Sequence, residues 1–231
     1  MNTLLKNPGY QIAVGGVAAN LRALLAARMA QSYARFCASW ECLLPDHYLR
    51  DGGKYRLRRY SVFTWQGYQL RQLPHEPHYQ GSHYNTLHGG INRHFRAWQA
   101  TTVSNPVLKT IIDWCIRQFS TNPTQGWRIQ AHQFRIIASA TQEGRPTPEG
   151  VHKDGADYIL IMLLNRRNVR GGVSHLYDNH RQPLEQCILQ DSGDLLLIND
   201  KAVYHGVTPI VPDDPTLPAW RDVLVLTFHR Q

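Results

Sequence analysis

Tyr158-Ile-Leu-Ile-Met-Leu-Leu164 is apolar on both faces of an extended chain, the composition of a strand packed between a barrel interior and a covering helix layer. Runs of similar length surround it: Ile129 to Ala138 before, then Ser174 to Tyr177, Leu184 to Leu189, Leu195 to Ile198, Val203 to Ile210 and Val223 to Phe228. Gly, Pro, Asn and Asp punctuate them. Short strands in regular succession with polar turns predict a sandwich or jelly roll. Upstream, Leu21, Leu24, Leu25, Met29, Tyr33, Phe36 and Trp40 recur at three- and four-residue steps, which predicts an amphipathic helix ended by Pro45. A second helix opens at Asn105-Pro106, with Asn105 as its cap and Pro106 in its first turn, and runs through Ile111, Ile112, Cys115 and Ile116. Both helices are expected to cover one outer face of the sheet. Tyr55 to Phe63 and Gln66 to Leu73 alternate around a turn at Trp65 to Gly67 and predict a hairpin. His75 to Trp98 follows no clear period.

With 231 residues the chain fits one catalytic domain, 1–231. About 1–126 would supply helices and peripheral strands, and about 127–231 the jelly-roll core. Hydrophobic residues at 42% and charged residues at 18% exclude a disordered chain. Cys37, Cys42, Cys115 and Cys187 form no C-x-x-C pair, so they read as reduced, packed thiols rather than zinc ligands. The amino terminus lacks the apolar core of an export signal and no run approaches a membrane span, so a cytoplasmic protein with no membrane contact is expected. The formal charge of +8 is spread along the chain. Its densest run, Arg56, Arg58 and Arg59 beside Tyr55 and Tyr60, reads as a polar strand face with aromatics turned inward. No nucleic-acid partner is expected from so diffuse an excess.

His152-Lys153-Asp154 puts an imidazole and a carboxylate two positions apart, so in extended backbone both point to one side. Chance alone supplies about one such triplet in a chain of this composition, so context decides its meaning. The triplet lies in the Gly-flanked segment Glu149-Gly-Val-His-Lys-Asp-Gly155, which leads into the apolar strand at Tyr158 and so belongs at a barrel mouth. His205, in phase with Val203 and Val207, is the expected third ligand. Two histidines and a carboxylate on one face of an ion leave positions open, the arrangement suited to iron(II) oxygenases. A 2-oxo acid fills two of them and dioxygen a third. The far carboxylate of a 2-oxo diacid asks for a cation with fork geometry, and Arg221, sharing a strand face with Val223 and Val225, is the expected anchor. Arg230, at the exit of that strand, is the alternative.

Pro148-Glu-Gly-Val-His-Lys-Asp-Gly155, Asn165-Arg-Arg-Asn-Val-Arg-Gly-Gly172, Gly193-Asp-Leu-Leu-Leu-Ile198, Tyr204-His-Gly-Val-Thr-Pro209 and Trp220-Arg-Asp-Val-Leu-Val-Leu-Thr-Phe228 occur in that order. Together they resemble the 2-oxoglutarate/iron(II) dioxygenases that hydroxylate free L-amino acids, the isoleucine dioxygenase group. The resemblance covers the chain well from about Gln130. It implies an α+β fold, a cupin-like double-stranded β-helix with N-terminal helices on one outer face. It also implies His152, Asp154 and His205 as iron ligands, and Arg221 as the anchor of 2-oxoglutarate. The activity it implies is hydroxylation of a free, aliphatic L-amino acid, coupled to decarboxylation of 2-oxoglutarate to succinate and carbon dioxide with iron(II) and dioxygen. Read from the residues, Tyr158 is in phase with Asp154 if the strand runs without a bulge, and would then offer its hydroxyl to 2-oxoglutarate. His132 and Arg135 are the candidate substrate contacts, because a free amino acid needs a cation for its carboxylate.

Two other functions fit the same residues: a 2-oxoglutarate oxygenase acting on a protein side chain or nucleobase, and a cupin-like barrel that binds a metal or small acid without catalysis. Assembly as a homodimer stays open. A competing histidine group, His75, His78, His83 and His88, is interrupted by Pro77 and lacks periodicity, so it reads as a loop that would cover the active site as a lid.

Overall fold

The structure, a computed structural model, describes residues 9–13, 19–82, 84, 87, 89–120, 122 and 124–231. In chain order these form β1 (Tyr10–Ala13), α1 (Ala19–Ala38), a 3₁₀ turn (Ser39–Cys42), β2 (Leu44–Pro45), β3 (Arg56–Gln66) and β4 (Gln69–Gln72). Then come α2 (Ala100–Val103), α3 (Pro106–Phe119), β5 (Trp127–Ala138), β6 (Tyr158–Arg167), β7 (Val169–Gly171) and β8 (Val173–Tyr177). The chain ends with β9 (Pro183–Ile188), β10 (Leu195–Asn199), β11 (Tyr204–Val207), β12 (Ile210–Pro212) and β13 (Ala219–Arg230).

The large antiparallel sheet has the order β1-β10-β6-β13-β5-β3-β2, with β4 added to β3. Facing it are β11-β8-β9 and the pair β12-β7. This is a jelly roll, a double-stranded β-helix, and β6 shows why its sequence is apolar at both parities. Ile159, Ile161 and Leu163 pack inward with Leu176, Leu196 and Val203. Leu160, Met162 and Leu164 pack outward with Leu21, Leu25 and Phe36 of α1 and Leu108, Ile111 and Ile112 of α3. Replacing the fully buried Leu160 by Ala removes methyl groups from that second layer and is expected to cost about 2–5 kcal/mol, lowering the melting temperature by roughly 2–4 °C per kcal/mol. Thermal unfolding followed by circular dichroism checks it.

Local chemistry sets the helix ends. Asn105 accepts from the Val107 N–H at 3.0 Å, capping α3, and its amide donates to the Ser32 carbonyl at 2.9 Å, which ties α3 to α1. Helix α1 carries non-helical backbone at Met29, and Pro45 comes after its 3₁₀ extension. No helix among the described residues is long and apolar enough to cross a membrane.

Three expectations shift. The hairpin turn falls at Gly67 and Tyr68, both at positive φ, rather than at Trp65 to Gly67. Tyr10–Ala13 adds a strand beside β10. The predicted strand from Val203 to Ile210 divides into β11 and β12 at Thr208-Pro209, because proline has no N–H for the ladder. Gly171 makes that division compact: at φ +80 it approaches the Pro209 carbonyl so closely that a Cβ there would lie 2.2 Å from the oxygen.

Candidate active site

His152 and His205 come from different parts of the chain and are stitched together by backbone. The His152 N–H donates to the His205 carbonyl at 2.9 Å, and the His205 N–H returns the bond at 3.0 Å. Their rings lie 4.5 Å apart between centroids. Asp154 completes the group, with Oδ1 3.5 Å from His152 Nε2 and Oδ2 3.7 Å from His205 Nε2. One ligand atom from each residue lies within 4.8 Å of the others, close enough to grip one ion. His152 Nδ1 faces the Gly150 carbonyl at 2.9 Å; a carbonyl can only accept, so Nδ1 carries a proton and Nε2 is the nitrogen that faces the group and can ligate once its own proton leaves.

Electrostatics separate the three. Burial opposes charge on His152, but its bond to Asp154 and the charges of Asp154 and Glu149 prevail and raise it to about 9. Burial and the neighbouring His152 lower His205 to about 3. Burial alone would raise Asp154; its bond to His152 and the positive charges around it hold it well below the usual carboxylate range. A dication at this place therefore meets a neutral His205 and an ionised Asp154, and displaces one proton from His152. Two imidazoles and one carboxylate around an otherwise unneutralised spot suit iron(II).

Asp154 is aimed from behind. Asp200, buried between strands, accepts from the backbone N–H of Asp154 at 3.1 Å, Gly155 at 2.7 Å and Ala156 at 2.9 Å. Burial and the nearby Asp154 charge raise Asp200 to about 6, against the pull of these three donors. Gly155, at φ +82, has the Tyr84 ring against its α-carbon, where a Cβ would lie 2.6 Å from the ring edge. Asp200→Asn leaves one oxygen to receive three donors, so iron affinity is expected to fall by about 10–100-fold with the fold retained. Equilibrium iron titration against circular dichroism checks it.

The group opens into a cavity of about 260 Å³. Arg221 lines it with Val223, Val225, Thr227 and His229 from β13, Ile161 from β6, and Gln130, His132, Phe134 and Ile136 from β5. Only 1% of Arg221 is exposed, and its Nε and Nη2 have no hydrogen-bond partner, so the cavity contains an unanswered cation. Burial and the adjacent Arg166 lower it to about 10. Arg230 lies elsewhere: it donates to the Tyr158 hydroxyl at 2.8 Å and pairs with Asp157 on a partly exposed surface.

Two expected contacts point away from this cavity. Tyr158 stacks on Phe119 of α3 at 4.4 Å and receives Arg230 on its hydroxyl, so it belongs to the helix-facing side of β6. The bends at residues 155–157 break the phase that would have carried it from Asp154. Arg135 is on the opposite face of β5 from His132 and is held by Asp222 at 2.7 Å and Glu41 at 2.6 Å. Its guanidinium is paired with these two acids and does not line the cavity.

Other residues arrive that the sequence did not announce. Arg56 and Arg58 are buried and face the cavity instead of forming a solvated strand face; Arg59, of the other parity, bonds to the Cys42 and Ala97 carbonyls. Arg93 and His78 join them. Glu149, 3.5 Å from His152, has a buried Oε2 without a partner. Tyr79, Gln80, Gly81 and Tyr84 line the rim, and Gln80 donates to Asp154 Oδ1 at 3.2 Å, so the segment read as a loop does lie over the site. His75 binds the Phe95 carbonyl, while His83 and His88 fall outside the described residues. The period-two phase of Arg56, Arg58 and Tyr60 was visible; which face was the interior was not.

The family model described as 2OG-Fe dioxygenase matches residues 37–227. An L-isoleucine-4-hydroxylase from Bacillus thuringiensis is 29% identical over 156 residues, which span 65% of this chain and 64% of that protein, just under two thirds of it. A 3(1)-hydroxy-L-isoleucine 4-dioxygenase from Pantoea ananatis is 25% identical over 181 residues, 72% of each chain. Among solved structures, a bsmA homologue from Methylobium petroleophilum PM1 superimposes with a TM-score of 0.83 at 33% identity, covering 97% of this chain and 90% of that one.

Proposed function

The chain belongs to the 2OG-Fe dioxygenase family, an oxidoreductase family whose iron(II), 2-oxoglutarate and dioxygen suit the residues gathered here, and from that premise we propose that it hydroxylates a free aliphatic L-amino acid. The relatives named for action on isoleucine and hydroxyisoleucine support this substrate class. The observation that carries the reading is the convergence of three ligand atoms within 4.8 Å at the edge of a cavity that also contains the unpaired, buried Arg221.

In this reading His152, Asp154 and His205 hold iron from one side, and Gly150 and Asp200 orient two of them. Arg221 receives the far carboxylate of 2-oxoglutarate through a charge-assisted pair. Bound iron supplies the activation of dioxygen and the decarboxylation of 2-oxoglutarate to succinate and carbon dioxide that accompany hydroxylation. Ile161, Val223 and Val225 supply an apolar wall that keeps water from the reacting centre. The rim residues from Tyr79 to Tyr84 enclose the site, and a cavity of about 260 Å³ suits a small free molecule better than a residue within a polymer.

Succinate release in the presence of iron(II), 2-oxoglutarate and a panel of aliphatic L-amino acids tests the reading. At least one amino acid is expected to accelerate release and to appear as its hydroxylated product. A rate that no amino acid changes would sink the substrate assignment.

A further inference from the structure

Arg58 and Arg93 each hold an imidazole. Arg58 Nη2 is 2.7 Å from His132 Nδ1, and Arg93 Nη2 is 2.8 Å from His78 Nδ1. A guanidinium cannot accept a hydrogen bond, so both imidazoles must accept at Nδ1 and carry their proton on Nε2. Both are therefore neutral donors. Burial and the charge of Arg58 act in the same direction, holding His78 and His132 well below the usual imidazole range. The two rings meet edge to face at 4.9 Å, with Tyr60 packed against both.

This wall has more positive charge than the protein neutralises. Asp46 answers it from behind, 2.7 Å from Arg56 Nε and 3.6 Å from Arg58 Nη1. No carboxylate of the described residues lies within ion-pair distance of Arg93. The Nε atoms of Arg58 and Arg93 and Nη2 of Arg56 are buried without partners. Three buried guanidiniums with one carboxylate in ion-pair contact, Glu149 and Asp154 acting on Arg93 only from farther off, are costly unless something anionic completes them.

Arg221 does not serve the same spot. Arg56 and Arg221 flank β5 on opposite sides, both paired with Ile136, so their backbones are two strand spacings apart, about 10 Å. Arg58 lies further along β3. With a diacid on Arg221, the buried unpaired nitrogens of Arg56, Arg58 and Arg93 would still need an anion.

Resting on the amino-acid-hydroxylase reading above, we propose that Arg58 and Arg93, with His78 and His132, seat the α-carboxylate of the substrate. The side chain then extends along the apolar residues Phe134, Ile161 and Val225. This cluster sets specificity for a free acid over its neutral derivatives.

Anaerobic calorimetric titration of the iron(II)- and 2-oxoglutarate-loaded protein with L-isoleucine and with L-isoleucinamide tests the proposal. The wild type is expected to bind the acid at least about 100-fold more tightly than the amide, and Arg93→Met to reduce that ratio below about fivefold. Arg93→Lys, which keeps the charge without the fork, should recover part of the preference. Equal binding of acid and amide by the wild type overturns the proposal without reference to any variant. So does full discrimination in Arg93→Met, or a loss of 2-oxoglutarate affinity in place of amino-acid affinity. A wild type that binds neither these compounds nor any other amino acid of the panel overturns the amino-acid reading itself, a result distinct from an acid bound without discrimination.

Discussion

Asp154→Ala is expected to eliminate measurable ferrous-iron binding and to lower 2-oxoglutarate turnover by more than the roughly 100-fold that loss of an outer-shell partner costs. The reason is that Asp154 is the one member of the triad that brings negative charge, and both imidazoles are positioned toward it, at 3.5 and 3.7 Å. Without it a dication faces two neutral nitrogens, with Glu149 beside His152 and Asp200 bonded to backbone behind the group. Equilibrium dialysis of iron and succinate release at saturating iron provide the two readouts. The backbone bridge between His152 and His205 does not depend on the carboxylate, so the variant should keep its circular dichroism and thermal unfolding. Wild-type iron affinity in Asp154→Ala would remove this residue from the metal group.

That triad could be anticipated because its logic is local. An H-x-D triplet before a strand apolar at both parities, and a histidine in phase with Val203 and Val207, need only strand periodicity to be placed at a barrel mouth. The helices were equally legible: Asn105-Pro106 carries its own start signal, and the cap it makes to Val107 is a contact between residues two apart. Sheet order, by contrast, puts β10 between β1 and β6 and β13 between β6 and β5, pairings that no nearby residue encodes.

Side-chain direction was lost where both faces of a strand are buried. Alternation in Arg56-Leu57-Arg58-Arg59-Tyr60 suggests one wet face and one dry one. In the fold Leu57 packs toward the helices while Arg56 and Arg58 line the interior, with Tyr60 packed on His78 and His132, so the arginines took the side expected of the aromatics alone. Arg135 failed for the same reason: its parity set it apart from His132, and the acids that claim it, Asp222 and Glu41, lie 87 and 94 residues away. Tyr158 failed because three bends after Asp154 reset the phase.

Arg221→Leu is expected to separate function from stability. In the proposed role this guanidinium is the partner of the far 2-oxoglutarate carboxylate inside a cavity that excludes water. Removing one member of such a buried charged pair costs about 2–5 kcal/mol, which raises the KM for 2-oxoglutarate by roughly 30- to several-thousand-fold. Arg230→Leu, at a partly exposed site outside the cavity, should change that KM by no more than about twofold. The ligand-free protein should respond in the opposite direction. Burial and Arg166 lower Arg221 to about 10 from the ordinary 12.5, so the folded state disfavours its charge relative to the unfolded chain, and the penalty is present at every pH below about 10. Leucine has no charge to bury and can meet Val223 in the same wall. The variant is therefore expected to be about 1–4 kcal/mol more stable without 2-oxoglutarate, a rise of roughly 2–4 °C in melting temperature per kcal/mol, and to lose the further rise that 2-oxoglutarate gives the wild type. A variant that melts lower than the wild type and still responds to 2-oxoglutarate would show that Arg221 braces the fold and that another cation anchors the diacid.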